Sequence, residues 1–194
     1  MNREEAISAV IDMFGSDAIY LGTTGRVTRE LHEQLKLHGI GEGHEFQNVG
    51  SMGHVSSVAL GMAIARPEKK IVVFDGDAAA VMHMGSLATI GRYQPKNLIH
   101  IVLNNGVNES VGGQPSAGYV VDLTGVAKSC GYQTPGCHAE TKDDFLNALK
   151  MVSDSDRPMF IDIHVRQGIR QDMPKLRIDH RQVKLDLMHI FSKS

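Results

Sequence analysis

Apolar and polar positions along the chain alternate between two spacings. Short continuous apolar runs, such as KIVVF and NLIHIVL, are typical of strands that are buried on both faces. Strands are predicted at 18–21, 46–49, 70–74, 97–103 and 159–165. Between these runs the apolar residues recur at helical spacing, which predicts helices at 3–14, 27–38, 54–65, 78–91, 122–130, 142–153 and 180–191.

The order of these elements predicts the fold class. Asn2 with Glu5, and Thr141 with Asp144, are typical of reciprocal caps at helix starts. Regular strand–helix alternation with short connections predicts an α/β fold, with a doubly wound, mainly parallel sheet of six strands and helices on both faces. We expect one domain over residues 1–194, with a C-terminal helical tail at about 170–194. In such sheets, ligands bind at the carboxyl ends of the strands.

Composition and charge exclude several classes of partner. The chain is 42% hydrophobic and 22% charged, with a net charge of −2, which gives no electrostatic footprint for nucleic acid. The longest apolar run, 58–65, is far shorter than the ~20 residues of a membrane span. The acidic N-terminus lacks a signal-peptide pattern, so we expect a cytoplasmic protein. Cys130 and Cys137 have neither zinc nor redox spacing, and we expect ordinary core or loop residues there.

Polar side chains follow two neighbouring predicted strands. Asp75 and Asp77 end the first, and Asn104-Asn105-Gly106 ends the second. One crossover helix and a strand fit between them, so we expect the carboxylates and the carboxamides to lie side by side. Oxygen ligands of this kind suit Mg²⁺, which commonly shares its coordination sphere with phosphates. The predicted helix start at Ala78 would direct free N–H groups to the same place, and Gly76 permits a tight turn there.

Other interpretations remain open from the residues alone. Asp75 is a possible nucleophile rather than a neighbour of a metal site. Asn104-Asn105-Gly106 is also compatible with a hairpin turn, although no matching antiparallel strand is predicted after it. His83 is equally compatible with a site residue and with a half-buried histidine. The glycines of the loop 106–118 predict a lid that closes over a substrate.

Five motifs together resemble thiamine diphosphate enzymes. The run G-D-x followed 25 residues later by N-N (79–103 lie between) resembles the diphosphate and metal signature of that family, with Ala78 in place of the usual glycine. V-G-S-M-G-H at 49–54 resembles the segment that holds the cofactor's aminopyrimidine. The remaining motifs are similar to those of phosphonopyruvate and, less closely, sulfopyruvate decarboxylases; they are T-T-G-x-x-x-R-E-L at 23–31, D-G-D-x-A-A-x-M-H-M-G at 75–85 and N-G-V-x-x-S-x-G-G-Q at 105–114.

The resemblance implies a role for particular residues. Asp77, Asn105 and the Val107 carbonyl would be the Mg²⁺ ligands, and Met52 would hold the bent cofactor. The Gly50 carbonyl would accept a hydrogen bond from the amino group of the cofactor's pyrimidine, with Ser51 beside it. The residues near the diphosphate would be Thr24, Gly25, Gly76, Asp77, Ala78 and Ala79. The candidate catalytic residues are Glu109 and His83.

The resemblance also implies an activity. It would be the decarboxylation of a 3-carbon 2-oxo acid with an anionic tail, phosphonopyruvate or sulfopyruvate, to an aldehyde and CO₂, with thiamine diphosphate and Mg²⁺. All the motifs belong to the diphosphate half of such enzymes, so we expect a beta subunit whose active site is completed by a separate alpha subunit. The alternatives are a noncatalytic cofactor-binding subunit and a haloacid-dehalogenase-type phosphatase. The first motif of such a phosphatase would use Asp75 as the nucleophile and Asp77 as the general acid. That motif expects Thr or Val at the position of Ala79.

Overall fold

A parallel sheet of five strands forms the centre of the computed structural model, which describes residues 1–135, 139–177 and 179–192. The strand order is β2-β1-β3-β4-β7, and all four neighbouring pairs are parallel. A separate antiparallel pair, β5 with β6, follows β4. The strand bounds are β1 Ala18–Gly22, β2 Glu45–Gln47, β3 Lys70–Gly76, β4 Leu98–Asn104, β5 Val107–Asn108, β6 Gln114–Pro115 and β7 Met159–His164.

Eight helices accompany these strands in the described part of the chain. They are α1 Arg3–Phe14, α2 Arg26–Leu37, α3 Val55–Ala65, α4 Asp77–Met82, α5 Gly85–Tyr93, α6 Leu123–Ser129, α7 Lys142–Lys150 and α8 His180–Ser192. Both expected capping boxes are present, at Asn2 and at Thr141. The single helix expected at 78–91 was wrong, because His83 leaves helical geometry (φ −126°, ψ 41°) and separates α4 from α5.

The expected count of six strands was also wrong. Residues beyond α6 run along the outer edge of β7, where Gln133 and Ala139 form only isolated parallel bridges. Pro135 lies between them and has no N–H to donate to a ladder, so no continuous strand forms among the described residues there. Cys137 lies outside the described residues. The Asn104-Asn105-Gly106 segment is not a hairpin turn, although a short antiparallel pair does follow it, contrary to expectation.

Helices on both faces of the sheet confirm the doubly wound α/β class. Helices α1, α2 and α7 pack on one face, against β-strand residues such as Val72 and Ile101. Helices α3, α5 and α6 pack on the other face, against residues such as Ile71 and Val73. Successive residues of β3 therefore enter opposite cores, as the alternation of side chains along a strand requires. No described helix combines the length and the apolar character needed to cross a bilayer.

The C-terminal helix α8 covers the edge of the sheet at β2. Its Leu187 is 6% exposed and belongs to the core beneath α3 and α5. Gly43, with φ +90°, lies so close to α8 that a Cβ there would be 2.6 Å from Cγ1 of Ile190. The helix thus protects an edge strand that would otherwise present unpaired backbone groups.

Candidate functional site

The carboxyl ends of β3 and β4 lie side by side and carry the polar residues singled out from the sequence. Gly76 is in register with Leu103, so Asp77 at the start of α4 lies next to Asn105 after β4. Two residues that are distant in the sequence therefore meet at one edge of the sheet.

A small cleft opens at this edge, with a cavity volume of about 60 Å³. Nine of the residues expected to bind the cofactor or to act in catalysis line it; they are Thr24, Met52, Gly76, Asp77, Ala78, Ala79, Asn105, Val107 and Glu109. Gly25, Gly50, Ser51 and His83 are not among its lining residues. Gly50 is nevertheless attached to the cleft wall, because its N–H donates to Oγ1 of Thr24 over 3.2 Å.

The Asp77 carboxyl group is 2% exposed. Burial raises its pKa above the ordinary value, although hydrogen bonds from Ser116 and from the backbone N–H groups of Ala78 and Asn105 oppose this shift. The ion pairs of the described residues do not include Asp77. A buried carboxylate without a cationic partner is a suitable ligand for a metal ion.

The chemistry of the neighbouring donors fits a hard cation. Asn105 offers its carboxamide and Val107 its backbone carbonyl, and the Val107 N–H donates to Oδ1 of Asn105 over 3.2 Å, which holds the two residues in one turn. The described residues contain no group of three or more His, Cys, Asp or Glu side chains that could hold a metal. A metal here would be bound by a mixed set of oxygen donors, as Mg²⁺ is.

Ala78 is compatible with a position normally occupied by glycine. It lies within α4, and its backbone φ is not positive. Its N–H lies in the first turn of the helix, where it has no acceptor within the helix itself. The substitution therefore introduces no backbone strain at this point.

The turn at 50–53 holds Met52 at the cleft in an uncommon backbone conformation. Gly50, Ser51 and Gly53 all have positive φ values, of 75°, 43° and 83°. Ser51 is one of only two non-glycine residues of this kind in the described chain, and such strain is retained where a side chain must be placed accurately. A Cβ on Gly53 would be 2.7 Å from the carbonyl oxygen of Ala79, so glycine is required for this close packing.

Glu109 is held in an ion-pair network. Nη1 of Arg3 donates to its Oε2 over 2.6 Å, the Gly168 N–H donates to its Oε1, and Nη1 of Arg26 is 3.6 Å from Oε2. Burial would raise the pKa of Glu109, but the hydrogen bonds from Gly168 and Arg3 outweigh it and lower this pKa below the ordinary value. Both carboxylate oxygens already accept hydrogen bonds in this network, and the expected proton-transfer role of Glu109 stays a prediction.

Arg3, which the sequence did not single out, forms ion pairs with Glu109 at the cleft and with Glu30 on α2. Its guanidinium also donates to both oxygens of Glu30 on α2, over 2.7 and 2.9 Å, and Arg3 is only 4% exposed. The available signal was an arginine in the first turn of a helix, where the helix dipole disfavours positive charge. Such a residue needs a carboxylate partner elsewhere.

His83 lies outside the cleft wall and is exposed. Its ring centroid is 4.0 Å from that of His54, and it packs beside Gly53. The structure therefore places His83 beside His54 and Gly53 and not among the residues that line the cleft, and its catalytic role stays a prediction.

Asp75 is fully buried in β3, below the floor of the cleft. Its Oδ2 lies 3.3 Å from Nε2 of His100, and its Oδ1 accepts from the Gly76 N–H over 2.9 Å. A phosphatase nucleophile must reach a phosphorus atom in the open site. The position of Asp75 is therefore incompatible with the phosphatase interpretation.

The segment 106–118 is more structured than a glycine-rich lid. Strands β5 and β6 form a small hairpin within it. Gly106 and Gly118 are closely packed: a Cβ on Gly106 would be 2.3 Å from the Tyr119 ring, and one on Gly118 would be 2.5 Å from Oδ2 of Asp77. These two glycines permit close contact, which is not the hinge function expected from the sequence.

Comparison with known proteins gives a consistent family. The model for the C-terminal TPP-binding domain of thiamine pyrophosphate enzymes matches residues 23–163. The chain is 36% identical over 184 residues to phosphonopyruvate decarboxylase of Streptomyces viridochromogenes, which covers 93% of this chain and 44% of that protein. The chain thus spans less than half the length of that relative.

Two relatives are of similar length to this chain. It is 31% identical to sulfopyruvate decarboxylase subunit beta of Methanothermobacter thermautotrophicus over 185 residues, which are 94% of this chain and 91% of that one. The corresponding subunit of Methanocaldococcus jannaschii is 33% identical over 150 residues, 76% of this chain and 77% of that one.

The fold is shared with a solved structure. An X-ray structure of a protein from Mycobacterium smegmatis, described as a thiamin diphosphate-dependent enzyme, superposes with a TM-score of 0.69 at 17% identity, over 87% of this chain and 32% of that one. The family model covers the strands β3, β4 and β7 and the residues of the cleft after β1. The chain therefore belongs to the thiamine pyrophosphate enzymes and carries their C-terminal TPP-binding domain.

Proposed function

We propose that this chain is the beta subunit of a thiamine diphosphate-dependent decarboxylase. Its substrate is a 3-carbon 2-oxo acid with an anionic tail, phosphonopyruvate or sulfopyruvate, and its products are the corresponding aldehyde and CO₂. The single observation that carries the proposal is the meeting of Asp77, Asn105 and Val107 in one cleft with Met52. The names of the relatives supply the two candidate substrates.

In this proposal Mg²⁺ is held by the carboxylate of Asp77, the carboxamide of Asn105 and the carbonyl of Val107. The buried, unpaired state of Asp77 supports this, because a cation offsets the cost of keeping that carboxylate ionised. The diphosphate lies against Thr24, Ala78 and their neighbours on the cleft wall. Magnesium, rather than zinc, is favoured because every donor is an oxygen.

The protein positions the cofactor, and the cofactor supplies the chemistry. When bound, thiamine diphosphate acts as the electron sink for decarboxylation of a 2-oxo acid. Met52, from the turn 50–53, would support the bound cofactor in its bent form, and the Gly50 carbonyl would be the acceptor for the amino group of its pyrimidine. The strained turn supports this role, because it fixes the direction of Met52.

A separate alpha subunit supplies the pyrimidine-binding half of the site. The glutamate that protonates the pyrimidine ring in such enzymes has no counterpart among the motifs of this chain. The similarity to sulfopyruvate decarboxylase subunit beta over 91% of its length supports a two-chain enzyme. The match to only 44% of phosphonopyruvate decarboxylase is compatible with it.

We also propose a cytoplasmic location. Residues 3–14 form α1, which belongs to the core and supplies Arg3 to the cleft. Cell fractionation with an antibody to the chain tests this: recovery with the soluble cytoplasmic fraction is expected, and recovery with secreted proteins would contradict it.

The binding half of the proposal is tested by calorimetry on the full chain with thiamine diphosphate and Mg²⁺. Asp77→Asn is expected to weaken Mg²⁺-dependent binding by at least about tenfold, or ~1.4 kcal/mol, because a carboxamide is a poorer ligand than a carboxylate. Asp75→Asn is the matched control, since it changes a carboxylate of the same strand end that faces His100 instead. Equal binding by wild type and Asp77→Asn would contradict the assignment.

The catalytic half is tested with the alpha-type polypeptide added. We expect CO₂ and phosphonoacetaldehyde or sulfoacetaldehyde from one of the two acids in the presence of Mg²⁺ and thiamine diphosphate. An assembled complex that binds the cofactor but releases no CO₂ from either acid would favour the noncatalytic cofactor-binding subunit.

A further inference from the structure

The segment 116–119 packs against the Asp77 carboxylate through Ser116 and Gly118. We infer that Ser116 is a positioning residue that fixes the orientation of the Asp77 carboxylate and thereby sets the affinity of the site for Mg²⁺. The inference rests on the proposed function, because it assumes that Asp77 is a metal ligand. It goes beyond that function by assigning a determinant of metal affinity outside the ligand set.

The hydrogen bonds around Ser116 define the direction of its hydroxyl group. The Gly118 N–H donates to Oγ of Ser116 over 3.0 Å. Oγ of Ser116 in turn donates to Oδ2 of Asp77. A hydroxyl has a single hydrogen, so a serine that accepts from one side directs that hydrogen to the acceptor on the other side. The Asp77 carboxylate is therefore held through one named oxygen.

The backbone of this segment is itself fixed from two sides. The Ser116 N–H donates to the carbonyl oxygen of Gly106 over 2.9 Å. Nδ2 of Asn104 donates to the carbonyl oxygen of Gly118 over 2.9 Å, and Oδ1 of Asn104 accepts from the Gly106 N–H over 3.2 Å. Asn104 is fully buried, so these bonds are shielded from water. The first asparagine of the N-N pair thus supports the loop that carries Ser116.

Gly118 allows the segment to approach Asp77 this closely. A Cβ at this position would lie 2.5 Å from Oδ2 of Asp77 and 2.6 Å from Oδ1 of Asn104. Any other residue would push the segment away from the carboxylate. The loop is therefore shaped to bring the Ser116 hydroxyl to Asp77.

Holding Oδ2 restricts rotation of the carboxylate and so sets the direction of Oδ1. A ligating carboxylate that is oriented in advance loses less freedom when a metal binds, and loss of such an outer hydrogen bond typically weakens metal affinity by about 10–100-fold. The energy of binding is thus tuned by a residue that need not touch the metal.

The experiment measures Mg²⁺ affinity by calorimetry on the full chain saturated with thiamine diphosphate, and the melting temperature of each variant without ligands. Ser116→Ala is expected to weaken Mg²⁺ binding by about 10–100-fold with little change in melting temperature. Ser116→Thr keeps the hydroxyl and is expected to restore most of the affinity. Ser129→Ala is the matched control, because Ser129 is exposed on α6 and its hydroxyl donates only to the Gly125 carbonyl oxygen.

The outcomes separate this inference from the proposed function. If wild type binds Mg²⁺, Asp77→Asn does not, and Ser116→Ala equals wild type, the inference alone is overturned. If Ser116→Ala and Ser116→Thr lose affinity equally and both melt at a lower temperature, the effect is structural and the inference is again overturned. If wild type itself shows no Mg²⁺-dependent binding of thiamine diphosphate, the proposed function fails together with the inference.

Discussion

Met52 is the single side chain whose function can be separated most clearly from its contribution to stability. It is only partly buried and lines the cleft, whereas a fully buried methionine costs about 2–5 kcal/mol when truncated to alanine. We therefore expect Met52→Ala to cost less than this in free energy of unfolding but to reduce turnover of the assembled enzyme strongly. Denaturant unfolding and steady-state assays measure the two effects.

Met62→Ala is the matched control for this prediction. Met62 is also a partly buried methionine, but it packs against the core from α3, away from the cleft. We expect a similar loss of stability without loss of turnover. A Met52→Ala variant whose turnover falls no further than that of Met62→Ala would identify Met52 as ordinary packing.

At the scale of elements, the Arg3–Glu30 pair joins α1 to α2. Glu30 is 2% exposed, and its pKa is raised by burial despite the hydrogen bonds from Arg3. Arg3→Met would leave this carboxyl group, and in part Glu109, without its partner. Breaking a buried ion pair on one side typically costs about 3–5 kcal/mol, and we expect a loss of that size in denaturant unfolding.

The double variant Arg3→Met/Glu30→Leu tests whether the loss of stability in Arg3→Met comes from the unpaired carboxyl group of Glu30. Replacing both partners with apolar residues removes the uncompensated charge, so we expect the double variant to be more stable than Arg3→Met alone. If the losses in free energy of unfolding of Arg3→Met and Glu30→Leu simply added up in the double variant, the unpaired charge would not explain the loss in Arg3→Met.

A second pair of elements, α2 and β2, is joined by His32 and Glu45. Nδ1 of His32 lies 2.8 Å from Oε2 of Glu45, and this hydrogen bond raises the pKa of His32 above its ordinary 6.5. A pKa raised in the folded state stabilises the protein fully below the unfolded value, and this contribution is lost as the pH rises through the folded value. Partial burial and Lys36 act in the opposite direction, and Glu33 adds to the effect of Glu45.

We therefore expect the stability advantage of wild type over His32→Gln to be complete below the ordinary pKa of 6.5 and to shrink as the pH rises above it. The measurement is denaturant unfolding of both proteins below and above this value. His32 is 39% exposed at its side chain, so the effect should be small and weaker at high salt. An advantage that stays constant with pH would contradict a contribution from the protonated imidazole.

At the scale of the whole molecule, several large apolar side chains are exposed after the carboxyl ends of β2, β3 and β4. They are Val49, Met82, Val111, Tyr119 and Val120, with exposed fractions from 53% to 85%. Apolar side chains gathered at the rim of a site are typical of a protein interface. We expect the proposed alpha subunit to cover them, and the chain alone to release no CO₂.

Val120→Lys tests this expectation, because Val120 is 85% exposed and can change without disturbing the core. We expect the affinity for the alpha-type chain, measured by sedimentation, to fall by about tenfold or more, or ~1.4 kcal/mol. Leu37→Lys is the matched control: Leu37 is 69% exposed at the far end of α2. Robust turnover by the chain alone, or equal effects of the two variants, would contradict the proposed assembly.

The sequence by itself determined the α/β class, most element positions and the pairing of Asp77 with Asn105. These features depend on local patterns: continuous apolar runs, capping residues, and the length of one crossover between adjacent parallel strands. The sequence left open whether Ala78 suits its position, and the helical backbone seen in the structure shows that it introduces no strain there. A motif of fixed spacing on neighbouring strands leaves few other geometries.

Only the tertiary structure decided which side chains support the site. Arg3 and Glu109 are 106 residues apart, and Ser116 and Asp77 are 39 apart, so no local pattern links them. The structure also corrected two expectations, with the break at His83 between α4 and α5 and with a sheet of five strands. Such contacts depend on which partners the buried polar groups meet once the chain has folded. Sequence periodicity indicates which residues are buried, but it does not indicate their hydrogen-bond partners.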